Sequence, residues 1–482
     1  MNTKQYKDMS KPVSNPTGSD SLLAEADIAI IGGGVVGCAV ARRMALEGAS
    51  VVLLEKAADI LDGASKGNSA ILHTGFDAPA GTLEWECVQN GYREYLEIYQ
   101  SLGLPLLKSG ALVAAWTQEE EDRFEGILQK GRDNNVDDMR LLSKAEILRL
   151  EPNLAPHIRA AISIPGEYVI DPWSAPLAYV TQALENGGKL LCNANVTGGD
   201  FDGNKWVLKT GQGIVKSRYV INCAGLYGDI LDHDVLGTAD FTIKPRKGQF
   251  VVFDKAANKL IRSIILSVPT KRTKGIVLFP TIFGNMMVGP TAEEQDGRAD
   301  ASVDETILKE LHAQAIEKVP SLKNIPVTAT FAGIRPATER PEYRVIEYSE
   351  RNWITLGGIR STGLTSALGI ANHVHTLLIR QGADYKAIET PSISKVPNLA
   401  EHLSRDYEKS GYGEIVCHCE MVTQREIEAA LTNKAPAGSL DGLKRRTRVS
   451  MGRCQGFYCS ARLAELTRGK FAESLGVGVA DE

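Results

Sequence analysis

Residues 26 to 56, ADIAIIGGGVVGCAVARRMALEGASVVLLEK, run through an apolar stretch, a glycine cluster, a helix-period segment and a second apolar stretch ending at Glu55. That order predicts a strand, a tight turn, an amphipathic helix and a second strand, a βαβ unit. Two later segments repeat parts of the pattern. SRYVINCAGLYGDIL (217–231) predicts a buried strand ending at Ala224-Gly225, and NWITLGGIRSTGLTSALGIANHV (352–374) predicts a strand, a glycine loop and a helix. Between them, KPRKGQFVVFD (244–254), GIVLFPTIFGNMMVGPTAE (275–293) and VTATFAGIRPATERPEYRVIEYS (327–349) alternate apolar and polar positions with turns between. They are expected to form an antiparallel sheet. Segment 100–160 carries helical periodicity, clearest in TQEEEDRFEGILQKGRDN, whose charges read as a solvated face.

At 482 residues the chain is long enough for two or three domains, each with its own core. A content of 43% hydrophobic and 23% charged residues is that of a soluble globular protein, and no apolar run reaches the length of a membrane span. The first 25 residues are polar, without the three-part pattern of a secretory signal, and are expected to be a disordered leader. A net charge of −5 offers no broad attraction for phosphate backbones and argues against nucleic acid as a partner. Of eight cysteines, Cys38, Cys87, Cys192 and Cys223 are scattered and read as buried thiols of a reducing compartment, which implies a cytoplasmic location.

Gly32, Gly34 and Gly37 fit G-x-G-x-x-G. The first permits the turn, the second lets a pyrophosphate approach the backbone, and the third lets helix pack on strand. The helix N-terminus then faces the anion, and Glu55 ends the second strand where a carboxylate can accept from ribose hydroxyls. A dinucleotide is expected here. The surrounding segments favour FAD, because they resemble those of two-domain flavoprotein oxidases of the D-amino-acid-oxidase-like superfamily.

Downstream, GASKGNSAILHTGF places Ser65, Asn68, Ser69, His73 and Gly75 in a segment similar to the Asn-Ser-x-x-x-His-x-Gly of flavin-dependent glycerol-3-phosphate dehydrogenases and oxidases and of L-2-hydroxyglutarate oxidases. GIRPAT (333–338) and STGLTSA (361–367) are similar to later motifs of the same family, so the resemblance spans about 27–385. It implies His73 as the base that accepts the hydroxyl proton, a role that suits neutral imidazole, and Arg335 as the cation that grips a phosphate or carboxylate. It also implies flavin contacts at Ser65, Asn68 and Ser69, at Val196, Ala224 and Gly225, and at Gly363, Leu364 and Thr365. Arg360, Lys247 and Lys271 are weaker candidate cations near these segments. Glu84, Trp85 and Glu86 stand where the family pattern is Lys- and Ala-rich, and Thr362 where it has proline, which leaves another hydroxy acid or polyol phosphate open as substrate.

In the last part of the chain, Cys417-x-Cys419 and Cys454-x4-Cys459 form one compact pattern of four thiols, suited to zinc or to an iron–sulfur cluster. The spacing resembles that of bacterioferritin-associated ferredoxin, which implies a [2Fe–2S] cluster in a small helical domain. Thr423-Gln-Arg-Glu426 is a capping box that starts a helix after the first pair, and CSARLAELTRG starts another at the second. His418 is expected to point away from the metal. The expected architecture is α/β: a Rossmann-like FAD-binding body over 26–385 with an antiparallel-sheet substrate domain inserted, a linker over 386–412, and a helical [2Fe–2S] domain over 413–475. Within the body, 26–100, 161–243 and 350–385 are assigned to the nucleotide-binding part and 101–160 and 244–349 to the substrate part.

The combination resembles the large subunit of anaerobic glycerol-3-phosphate dehydrogenase. It implies oxidation of sn-glycerol 3-phosphate to dihydroxyacetone phosphate, with electrons leaving singly through the cluster to a partner subunit or quinone, and a peripheral location at the inner face of the cell membrane as an alternative to free cytoplasm. L-2-hydroxyglutarate oxidation, an electron-transfer or scaffold role, and a zinc-based interaction tail remain the competing readings.

Overall fold

The computed structural model describes residues 21–269 and 275–472. The first strand, Leu22–Ile31, begins inside the expected leader, because its N-terminal residues add to the edge of Gly213–Asn222. Five parallel strands form the centre of an eight-stranded sheet, in the order Lys189–Leu191, Val51–Leu54, Leu22–Ile31, Gly213–Asn222, Trp353–Gly357. Val51–Leu54 and the inner half of Leu22–Ile31 are buried on both faces, as a parallel sheet covered by helices requires. The helices Val35–Leu46 and Gly363–Arg380 pack on this sheet, with Ser174–Glu185 and Leu83–Ile98 against them.

A nine-stranded sheet forms the second layer. Its longest pair, Ile243–Phe253 with Val327–Thr338, is antiparallel and sets Arg246 directly opposite Arg335. The sheet is mostly antiparallel as expected, with one parallel contact between Ile264–Ser267 and Ala111–Ala115. Two assignments differ from the sequence-based expectation. Ala111–Ala115, Arg140–Ser143 and Ala160–Ile164, from the segment expected to be helical and its edge, are strands of this sheet, because their short apolar runs pair with one another rather than forming a helix face. Arg344–Tyr348, expected here, instead forms a hairpin with Trp353–Gly357 in the nucleotide sheet. The helical reading holds for Gln118–Glu121 and Phe124–Asp133, the first capped by a Thr117/Glu120 capping box.

The expected linker is irregular but packed. Its backbone amides at Ile388, Val396 and Glu401 donate to Leu46 O, Leu102 O and Ile282 O at 2.9, 3.0 and 3.0 Å, and Leu399 and Ala400 are buried in the core against the nine-stranded sheet. Beyond it, a short hairpin (Ile415–Cys417 with Val422–Thr423) and helices Gln424–Thr432, Leu440–Thr447 and Ser460–Leu466 enclose a small core of Val416, Val422, Ile427, Leu443, Val449 and Leu463. The Thr423/Glu426 capping box is present, Cys459 stands at the N-cap position of the last helix without a side-chain capping bond, and His418 is exposed. Of the scattered thiols, Cys38, Cys87 and Cys223 are buried and Cys192 is half-buried. No helix among the described residues is long and apolar enough to cross a membrane.

Candidate active site

The glycine turn is stitched to the end of the neighbouring strand. Gly32 has φ +112°, and a Cβ there would lie 2.5 Å from Cys223 O; a Cβ at Gly37 would lie 1.9 Å from Gly32 O. Only glycine fits either place, and the result is a close approach of Cys223-Ala224-Gly225 to the helix start. Ser65 Oγ accepts the Val35 amide at 3.0 Å, so the 63–67 segment closes over the same helix N-terminus. Glu55 accepts from Gly33 N at 2.7 Å and Ala57 N at 2.8 Å while its carboxylate lines the cavity. Burial pushes its pKa up against those two hydrogen bonds.

One continuous cavity of about 1140 Å³ runs from this turn to the second sheet. It is bordered by the residues expected to contact flavin: the glycine turn at Gly32 and Gly34, Glu55, Ser65, Asn68, Ser69, Val196, Ala224, Gly225, Gly363, Leu364 and Thr365. Gly37 lies behind the turn and supports it. Backbone amides at a helix N-terminus, a carboxylate set beside them and an elongated cavity fit the pyrophosphate, ribose and ring of a flavin dinucleotide.

Asn68 is a local brace. Its amide donates to Ser65 O at 2.9 Å and its carbonyl accepts the Ala70 amide at 2.7 Å, which turns the chain at the positive φ of Ala70 and sends it into Ile71-Leu72-His73. The His73 amide then donates to Thr365 Oγ1 at 3.0 Å, tying the segment to the start of helix Gly363–Arg380. His73 Nδ1 lies 2.9 Å from Glu167 Oε2. Glu167 is fully buried, and its other oxygen accepts from Thr74 N and Thr74 Oγ1 at 2.7 and 2.8 Å. Sequence reasoning missed Glu167, which sits in a Pro165-Gly166-Glu167 turn, a place where an acid ordinarily faces water.

Arg335 lines the far side of the cavity with Arg246 and Arg360. Its Nη2 donates to Thr291 O at 2.7 Å, and burial, followed by the neighbouring Arg246 and Arg360 charges, pulls its pKa down to about 10. Arg246 also pairs with Glu294 at 3.0 Å. Three guanidinium groups at one end of the cavity give that end a positive potential of the kind that suits an anionic group. Lys247 lies in the same strand but is not among the lining residues, and Lys271 falls outside the described residues. Gly67 and Gly333 approach backbone to backbone, since a Cβ on Gly333 would lie 2.3 Å from Gly67 O; this contact brings the Ser65–His73 segment and the Arg335 strand to one cavity. The two places where the chain departs from the family pattern meet: Thr362 Oγ1 donates to Glu84 Oε1 at 2.9 Å.

In the C-terminal module the four thiols gather at one place, Cys419 interacting with Cys454 and Cys417, and Cys459 with Cys417 and Cys454. Backbone amides of Gly456, Phe457 and Tyr458 point at the Cys454 sulfur. Cys417, Cys419, Cys454 and Cys459 would hold a [2Fe–2S] cluster, which takes four thiolates and would supply one-electron transfer. The module abuts the body through Arg448, whose guanidinium lies 4.1 Å over the Phe283 ring; Phe283 stacks on Trp173 at 5.3 Å, and Trp173 Nε1 donates to Lys66 O at 3.1 Å on the cavity wall.

Residues 27–377 match the family of FAD dependent oxidoreductases (DAO), and residues 415–468 match the BFD-like [2Fe-2S] binding domain. A glycerol 3-phosphate dehydrogenase of Caloramator mitchellensis is 32% identical over 94% of this chain and 95% of its own length. A glycerol 3-phosphate oxidase of Mycoplasma pneumoniae is 32% identical over 73% of this chain and 94% of its own. The solved structure of dithionite-reduced L-alpha-glycerophosphate oxidase from Mycoplasma pneumoniae, with FAD bound, superposes with a TM-score of 0.72 at 29% identity, covering 77% of this chain and 99% of that one. The chain belongs to the DAO family of FAD-dependent oxidoreductases and carries a BFD-like [2Fe–2S] binding domain at its C-terminal end.

Proposed function

We propose that the chain oxidises sn-glycerol 3-phosphate to dihydroxyacetone phosphate and passes the electrons singly through the [2Fe–2S] centre to an acceptor outside the chain, a partner subunit or a quinone-linked complex. The observation that carries the reading is one cavity with His73, held from behind by buried Glu167, on one wall and the Arg246, Arg335 and Arg360 group on another. The relatives named as glycerol 3-phosphate dehydrogenase and oxidase support the choice of substrate.

FAD, when bound, supplies the two-electron acceptor for the carbinol hydride and the cluster the one-electron relay. The chain's own residues do the rest. Arg335, with Arg246 and Arg360, holds the phosphate, and a planar guanidinium does so bidentately. With the phosphate fixed, the secondary hydroxyl is oriented rather than free to tumble, which is where much of the rate originates. His73 donates its Nδ1–H to Glu167, so the ring is held as the tautomer whose Nε2 is basic, and that nitrogen takes the hydroxyl proton as the carbon loses hydride. Glu167 then faces an imidazolium, and its buried negative charge stabilises it. The Trp173–Phe283–Arg448 seam supports a short packed route from the cavity wall to the cysteine module.

The test is anaerobic addition of sn-glycerol 3-phosphate to the FAD- and cluster-loaded protein, with flavin and cluster absorption followed together. Prompt flavin bleaching followed by cluster reduction is expected. Bleaching by L-2-hydroxyglutarate but not by glycerol 3-phosphate would overturn the substrate. Substrate bleaching of the flavin with a cluster reducible only by dithionite would overturn the relay.

A further inference from the structure

The contact between the C-terminal module and the body is built on a buried ion pair that reaches the nucleotide site. Arg446, near the end of helix Leu440–Thr447, donates from Nη2 to Asp59 Oδ1 at 2.7 Å and from Nη1 to Asp59 Oδ2 at 2.8 Å. The two side chains are 4% and 3% exposed. The Gly438 amide adds a third bond to Asp59 Oδ2 at 3.0 Å, and Arg445 donates to Ile60 O at 3.0 Å. The fit is close: a Cβ on Gly438 would lie 1.9 Å from Ala58 O, and one on Gly442 would lie 1.6 Å from Asp59 Oδ2.

Asp59 belongs to the loop that follows Glu55. That loop is bonded to the glycine turn at both ends, through Gly33 N to Glu55 Oε2 at 2.7 Å and Leu61 N to Gly33 O at 2.9 Å. The loop that begins at Glu55 is therefore held from behind by the module. The module in turn depends on its cysteines: Cys417 and Cys459 are part of its small core, and the chain from Arg446 reaches Cys454 within a few residues. A core this small gains much of its order from the metal it holds, because ligand binding to a metal centre is folding free energy.

We infer that the [2Fe–2S] cluster and FAD bind cooperatively through the Asp59–Arg446 clamp, so that a loaded cluster tightens FAD and bound FAD favours a loaded cluster by the same factor. The cluster orders the module, the ordered module presents Arg446 to Asp59, and the fixed loop holds Glu55 and the glycine turn in their binding geometry. Asp59 and Arg446 are positioning residues: neither is among the residues lining the nucleotide cavity. The inference rests on the two cofactors alone and is independent of the substrate.

The experiment titrates FAD into flavin-free, full-length protein prepared with and without the cluster, with quenching of flavin fluorescence as the readout. The cluster-loaded wild type is expected to bind FAD about tenfold or more tightly than the cluster-free form, within the range common for coupled sites. Arg446→Met leaves Asp59 buried without its partner and is open to misfolding. The double variant Asp59→Asn, Arg446→Met leaves no unpaired charge and carries the decisive comparison. In it the ratio of the two affinities is expected to fall towards 1 while iron and sulfide content stay at the wild-type level. An affinity for FAD that is the same with and without cluster in the wild type would overturn the inference, as would a ratio that survives unchanged in the double variant.

Discussion

Glu167 Oε2 sits 2.9 Å from His73 Nδ1, with the carboxylate fully buried and the histidine 25% exposed on the side of the cavity. In the proposed reaction the two side chains take complementary roles: the exposed partner would meet substrate and the buried one would fix its orientation and charge. His73→Ala is expected to lower kcat by about 10²–10⁴-fold. Glu167→Gln should lower kcat by about tenfold or more with little change in KM, since the amide keeps the shape but loses the charge that faces the imidazolium. Steady-state kinetics on both variants checks this; a rise in KM at unchanged kcat would move the pair from proton transfer to binding.

Arg335 is expected to act on binding. Arg335→Met should raise KM for glycerol 3-phosphate by about tenfold to a hundredfold, the loss of one or two charge-assisted hydrogen bonds. Arg335→Lys should recover part of the loss, because the charge returns without the bidentate fork. The measurement is kcat/KM for the three proteins at fixed ionic strength.

Removal of one cluster ligand should separate the two halves of the reaction. Cys454→Ser at saturating FAD is expected to lose the cluster's visible absorption while glycerol 3-phosphate still bleaches the flavin anaerobically. Turnover with a small acceptor that takes electrons from flavin should persist. Loss of substrate bleaching in protein with full flavin content would show that the cluster is needed for the chemical step itself.

Asp232 offers a pH dependence unrelated to catalysis. Its Oδ1 accepts from Asn222, Trp353 and Thr355 at 2.8, 3.0 and 2.8 Å, while Oδ2 is buried without a hydrogen-bond partner among the described residues. Burial raises its pKa to about 6. The folded state therefore favours the protonated acid, so stability from this group is full below the unfolded pKa and is lost as pH rises through about 6. Asp232→Asn should remove this loss, of the order of 2–3 kcal/mol for a shift of this size. Thermal melts between pH 4 and 8 should show a smaller decline for the variant than for the wild type.

The parts of the site that were readable in the chain are those in which short-range order carries the meaning. Gly32, Gly34, Gly37 and Glu55 stand in sequence order in one βαβ unit, and the cysteine pairs in one short segment. Glu167 could not be found this way, because its role is a contact with His73 across the loops of two different strands and its own neighbours only say turn. Arg246 is only one polar position within KPRKGQFVVFD, and what brings it beside Arg335 is the register of two strands far apart in the chain. The same limit explains Arg344–Tyr348, whose alternation suits either sheet until its hairpin with Trp353–Gly357 decides. The 386–412 segment has the prolines and polar residues of a connection, and nothing local in it announces that Leu399 and Ala400 are core.

That packed segment determines how electrons travel. A ferredoxin module on a loose tether reaches its donor by diffusion, and its encounter rate follows linker length and solvent friction. Here the connecting chain is bonded to the body at Ile388, Val396 and Glu401, and the module is bolted on by Arg446. The gap between donor and acceptor is then a constant of the fold, and added viscogen should leave the rate of cluster reduction by reduced flavin unchanged.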